Sequence, residues 1–224
     1  MLTADDFSAI RLSLLVATSA TIISLPLGYG AAYLLAFSRV KGKALLEGVI
    51  NLPLVLPPVV IGYLLLLAFG KHSIIGALLA TFGINVIFTL KGAVIASAVV
   101  GFPLLVRSIR IGMENVDRQY MQASRTLGAG WWDALFSITI PLTYKATLAG
   151  MTLMFARSLG EFGATIILAG NIPGVTQTIP LAIYQYTSMP GGDAMALSLC
   201  MVSIGLSFAV LLISEAVNRS MSGR

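Results

Sequence analysis

Long apolar runs with almost no charge set the first limit on how this chain can fold. They lie at about Ile10 to Phe37, Gly48 to Phe69, Lys91 to Val106, Leu142 to Ala169 and Ala194 to Ile213. A hydrocarbon core of roughly 30 Å is crossed by about 20 apolar residues in helical form. Backbone N–H and C=O groups in lipid must also be paired within the segment. The runs therefore predict an all-α, polytopic transmembrane helical bundle of about five spans, a single domain over residues 1–224. Composition agrees: 10% of residues are charged and mean hydropathy is +0.92, whereas soluble chains carry about 25% charged residues. The opening Met1 to Asp6 is acidic and lacks the basic region of a secretory signal. The run after it is too long for a signal h-region, so it is read as a retained span.

Several functions are excluded by scarcity. With one cysteine, Cys200, the chain forms no intramolecular disulfide and no cysteine metal cluster. The one histidine, His72, lies between Lys71 and Ser73 and reads as a loop-end residue. No His-x-x-x-His metal motif is present, and no ordinary Ser-His-Asp set is visible unless His72 itself serves. No G-x-x-x-x-G-K-[ST] phosphate loop occurs, because Gly42-Lys43 and Gly70-Lys71 lack both the earlier glycine and the hydroxyl residue. Energy must come from another subunit or an ion gradient. The net charge of +5 fits basic cytoplasmic loops and anionic lipid headgroups, and no nucleic-acid partner is expected.

Two spans carry helix-breaking residues. The first contains Pro26, Gly28 and Gly30, which membrane helices tolerate where neighbours satisfy the freed backbone and small residues allow close contact. The second contains Pro53, Pro57 and Pro58, which remove donors and clash with the preceding turn, so this helix must bend or break near its middle. The break either improves packing or lines a transport pathway. Residues 70–90 fit a re-entrant helix, an interfacial helix or a loop.

Five spans put the termini on opposite sides. Of 14 basic residues, Arg39, Lys41, Lys43, Arg107, Arg110, Arg118, Arg125, Lys145, Arg219 and Arg224 fall on one side, and Arg11, Lys71 and Lys91 on the other. The positive-inside rule places the first group, with residues 107–145, in the cytoplasm and the N-terminus outside.

The longest polar interval, 115–141, lies on that cytoplasmic side. Read as a helix, Asp117 to Leu127 sets Tyr120, Ala123, Ser124 and Leu127 on one face at i, i+3, i+4, i+7 spacing. Asp117 suits the positive end of the helix dipole, and Gly128 is a helix stop. Pro141 disfavours continuing one helix through Ile140. Gln122-Ala123-Ser124, three residues, Gly128, nine residues, then Ile138-Thr139-Ile140-Pro141 resembles the E-A-A, three, G, nine, I-x-L-P signature of ATP-binding-cassette (ABC) importer permeases. Gln122 replaces Glu, Ser124 the second Ala and Ile140 the Leu. The resemblance implies that 115–141 is a coupling loop docking into a separate ATPase subunit through Gln122, Ala123, Ser124, Leu127, Gly128, Ile138 and Pro141.

Arg157 and Glu161 sit four residues apart in the fourth run, where pairing offsets part of the cost of either charge in lipid. The pair either fixes packing, with Arg157 able to snorkel, or shapes a gate with positive charge toward an anion. No nucleophile or metal ligand accompanies Glu161 for catalysis.

Further stretches narrow the resemblance. Leu52 to Tyr63, Phe155 to Thr165, Asn171 to Gly174, Thr178 to Pro180 and Thr126 to Trp131 are similar to molybdate ABC importer permeases. The resemblance implies the type I importer permease fold and a homodimeric pore. It also implies two ATPase subunits that bind ATP and Mg, and a periplasmic or lipid-anchored binding protein that delivers molybdate and tungstate. The chain itself is expected to hold no cofactor or metal and to catalyse no reaction. Pro53, Pro57, Pro58, Arg157 and Glu161 are the pathway or gate candidates. A sulfate importer, an ion-gradient transporter and a membrane enzyme are the alternatives. The ion-gradient transporter would call for internal repeats or more intramembrane carboxylates.

Overall fold

A computed structural model describes residues 3–38, 41–126 and 128–222. Among these the regular structure is all helical, as the apolar runs require. In chain order the helices are α1 (Ala4–Phe37), α2 (Lys43–Val55), α3 (Pro58–Phe69), α4 (Ile74–Thr81), α5 (Leu90–Glu114), α6 (Arg118–Thr126), α7 (Trp131–Ala134), α8 (Ile140–Leu159), α9 (Gly163–Leu168), α10 (Ile179–Thr187) and α11 (Asp193–Ser222).

Three of them, α1, α5 and α11, are long and apolar enough to cross a membrane, and a fourth crossing is reached if α2 and α3 count as one bent span. α1 starts on a capping box: Asp6 N–H donates to Thr3 Oγ1 (3.3 Å), and Thr3 N–H donates to Asp6 Oδ2 (2.6 Å). It then runs unbroken through Pro26.

The second apolar run breaks as its prolines demand, with the chain turning by 116° between α2 and α3. Pro53 rides inside α2. Pro57 caps α3 and Pro58 opens it, in the first turn, where the N–H has no intrahelical acceptor to lose. Residues 70–90 hold the short helix α4 followed by a turn.

Two expectations need correction. The fourth apolar run, 142–169, is not one helix: α8 ends at Leu159, and Gly160–Phe162 leave helical geometry before α9 begins. Pro141 does not separate two helices either. Trp131 to Leu159 is one helical rod, because Leu135–Thr139 form a π-helical turn. Ile140 N–H donates to the Leu135 carbonyl, five residues back, and this wider turn just before the proline lets the helix continue through it.

α5 is the most enclosed long helix and packs against α1, α2, α3, α8 and α9. Leu105, Val106, Ile109 and Met113 of α5 meet Ala32 and Leu35 of α1 and Met154 of α8 in the main core. Small residues bring α5 and α8 close: a Cβ on Gly112 would overlap Ala146 Cβ. Several threonines in the rod bond back to carbonyls of their own helix, as Thr143 does to Thr139 (2.6 Å) and Thr152 to Leu148 (3.0 Å), so these hydroxyls add no unpaired polar group. At the end opposite α6, Tyr186 OH donates to the buried Asp6 Oδ1 (2.9 Å), and Ile179 N–H donates to Ser13 Oγ (2.8 Å), tying α10 to α1.

Candidate functional site

The candidate residues gather in two places, at opposite ends of one helical rod. At the first, α6 is a helix of nine residues, somewhat shorter than the sequence suggested. Gln122 and Ala123 are exposed, Tyr120 is 57% exposed, and Ser124 is buried. The four-residue face is therefore divided, with Ser124 turned toward the protein. Leu127 lies outside the described residues. Gly128 has φ +82, the left-handed conformation in which a side chain is strained, and the space where its Cβ would stand is open. The chain turns there: Ala129 N–H donates to the Ser124 carbonyl (3.0 Å) and closes the end of α6. Ile138 is half-buried in the π turn and Pro141 is exposed in the rod.

The base of the rod is fastened to α1 by aromatic side chains. Trp131 Nε1 donates to Tyr33 OH (2.8 Å), with the two rings edge to face at 5.5 Å. Trp132 and Phe136 continue this aromatic surface. From Trp131 to Leu159 the rod is about 40 Å long at 1.5 Å per residue.

The break after Leu159 is the second place. Arg157 Nη1 lies 2.7 Å from Glu161 Oε2. The Glu161 side chain is 1% exposed and that of Arg157 32%. Glu161 does more than the sequence indicated: its Oε1 accepts the Ala164 N–H (2.8 Å), capping α9 just after α8 has ended. One carboxylate thus joins a cation on one helix to the first turn of the next.

The proline break packs directly on this one. A Cβ on Gly163 would lie 2.9 Å from Pro58 Cβ and 3.1 Å from Val59 N. A Cβ on Gly62 would lie 2.8 Å from both Cα and the carbonyl oxygen of Ala164. The structure therefore brings Pro58, Arg157 and Glu161 to one seam between α3 and α9. Pro57 is exposed at the corner before α3, and Pro53 stays apart in α2. Behind the seam, Ile61, Ala96, Val100, Ala164 and Leu168 form a compact apolar cluster. Non-helical backbone at membrane depth is tolerated where protein encloses it or where it lines a wet cavity; at these breaks Glu161 is buried, while Gly160 and Pro57 are exposed.

The sequence pattern described as "Binding-protein-dependent transport system inner membrane component" matches residues 24–223. The chain belongs to this family of inner-membrane transport components.

This permease is 53% identical over 217 residues to the "Molybdenum transport system permease protein ModB" of Haemophilus influenzae, covering 96% of this chain and 95% of the relative. It is 50% identical to the ModB protein of Escherichia coli K12 over the full length of both. Its fold is that of solved ABC importers. The crystal structure of a bacterial alginate ABC transporter in complex with its alginate-bound periplasmic protein aligns with TM-score 0.78 at 12% identity, covering 98% of this chain and 80% of that one. The MetNI methionine transporter aligns with TM-score 0.69 at 12% identity, covering 96% and 93%.

Sequence reasoning missed three features of the permease: the continuity of the rod, the Trp131–Tyr33 fastening and the capping role of Glu161. Only the last left a trace. A carboxylate directly after Gly160 and three residues before Ala164 is the spacing of a side-chain helix cap.

Proposed function

We propose that the permease is the membrane subunit of an ATP-driven importer of molybdate, with tungstate as a second substrate. Its near-complete alignment with molybdenum permeases at 50–53% identity carries this reading. Two copies form the pore, two ATPase subunits bind ATP and Mg, and a periplasmic or lipid-anchored binding protein delivers the oxyanion. The N-terminus faces outward and the C-terminus lies in the cytoplasm, which sets α6 on the ATP side.

In this mechanism α6 is held by the ATPase subunit, with Gln122 and Ala123 at the contact and Gly128 giving the turn its shape. When the ATPase pair closes, the rod from Trp131 to Leu159 carries the displacement to Glu161. Arg157, Glu161 and Pro58 then shift at the α3–α9 seam, where the two broken helices meet. The chain holds no cofactor of its own, and discrimination among oxyanions rests mainly with the binding protein.

The test is uptake by the assembled complex in liposomes with its binding protein, comparing molybdate, tungstate and sulfate. ATP-dependent uptake of molybdate and tungstate but not sulfate is expected. Uptake of sulfate in preference would reassign the substrate, and uptake without ATPase subunits would replace the mechanism.

A further inference from the structure

A cavity of about 470 Å³ opens between α2 and α5, on the side that the charge distribution puts in the cytoplasm. Arg107, Arg110, Glu47, Glu114 and Asn51 supply its polar walls. The two arginines are in different states. Arg110 is held by two carboxylates, Nη1 at 2.6 Å from Glu47 Oε1 and Nε at 2.7 Å from Glu114 Oε1. Arg107, one turn earlier on α5, is exposed and has no carboxylate partner among the described residues.

We infer that this cavity is the last station of the transported oxyanion before release, and that Arg107 is its contact. The inference rests on the oxyanion-import reading above. A guanidinium is always charged and presents a planar fork of donors matched to oxyanions. At about 30 Å³ per water, the cavity holds a tetrahedral dianion together with much of its hydration shell. Glu47 and Glu114 together outweigh Arg110 by one negative charge and repel a dianion, so the four charged walls sum to zero and the exposed Arg107 guanidinium alone attracts it, locally and weakly. Weak binding of this kind suits an exit, because a conducting site must be favourable enough to fill and weak enough to empty.

The test uses the assembled importer in inside-out vesicles, with ATP and graded sodium molybdate on the cytoplasmic face, and binding protein and molybdate inside. ATP-dependent transport into the bath is measured against bath molybdate. Bath molybdate slows the wild-type complex by occupying the exit. Arg107→Gln raises the half-inhibiting concentration about tenfold, Arg107→Lys raises it less, and Glu114→Gln lowers it, with equal amounts of assembled complex in each case. Unchanged inhibition in Arg107→Gln, with wild-type transport intact, overturns the inference and leaves the import reading standing. An Arg107→Gln effect independent of bath molybdate also overturns it, and assigns the guanidinium to a lipid phosphate or a structural role. A wild-type complex that moves no molybdate removes the import reading itself, and this inference with it.

Discussion

At residue scale, Gly128 and Glu161 each do something another residue would do badly. Gly128 occupies φ +82, where a residue with Cβ costs roughly 1–2 kcal/mol and Asn or Asp somewhat less. Gly128→Asp is expected to reduce recovery of the ATPase subunit on co-purification several-fold, with insertion into the membrane unchanged. Equal recovery would count against a docking role for this turn. Glu161 is buried with a cation and a backbone N–H as partners. Arg157→Gln leaves that carboxylate buried with only its capping bond. The expected loss is about 1–3 kcal/mol, below the figure for a fully buried pair because Arg157 is partly exposed. Thermal unfolding in detergent reads this loss and liposome uptake reads the gate. Normal import by Arg157→Gln would confine the pair to a packing role.

At the scale of elements, the seam between α3 and α9 is where substitution should cost most. Gly163→Val would drive new methyl groups into Pro58 and the backbone of Val59, for an expected loss of about 1–3 kcal/mol. Gly205→Ala in α11, where the added Cβ meets open space, should instead be neutral or stabilise by up to about 1 kcal/mol. A comparison of the two melting temperatures separates contact at the seam from a general effect of glycine replacement. At the other end of the bundle, Tyr186→Phe removes the donor to Asp6 that ties α10 to α1. A loss of about 0.5–1.5 kcal/mol is expected, with ATPase recovery unaffected because α6 lies at the opposite end of the rod.

For the whole molecule, the placement of α6 decides whether a motor can grip it from inside. With Cys200 replaced by Ser, a single cysteine at exposed Gln122 should react with a membrane-impermeant maleimide in inside-out vesicles and not in intact cells. Labelling in intact cells would invert the topology and detach α6 from the supply of ATP.

Much of this was legible in order along the chain. Hydropathy fixed the helical class, since a backbone in lipid has to satisfy its own polar groups. Three prolines between Pro53 and Pro58 announced a break. The spacing from Gln122 to Pro141 placed a helix and a glycine stop in the polar interval, where α6 and Gly128 stand. All of these are local properties: each residue carries its own hydropathy, its own charge and its own limits on φ. Tertiary structure decided the rest. Pro58 and Gly163 are far apart in the sequence, yet only packing around α5 brings their backbones into contact. Pro141 looked like a terminator, and the π turn ahead of it made it part of a rod instead. Whether a proline ends a helix, or a carboxylate pairs or caps, depends on which neighbours can take up the orphaned backbone groups, and those neighbours are chosen by the fold.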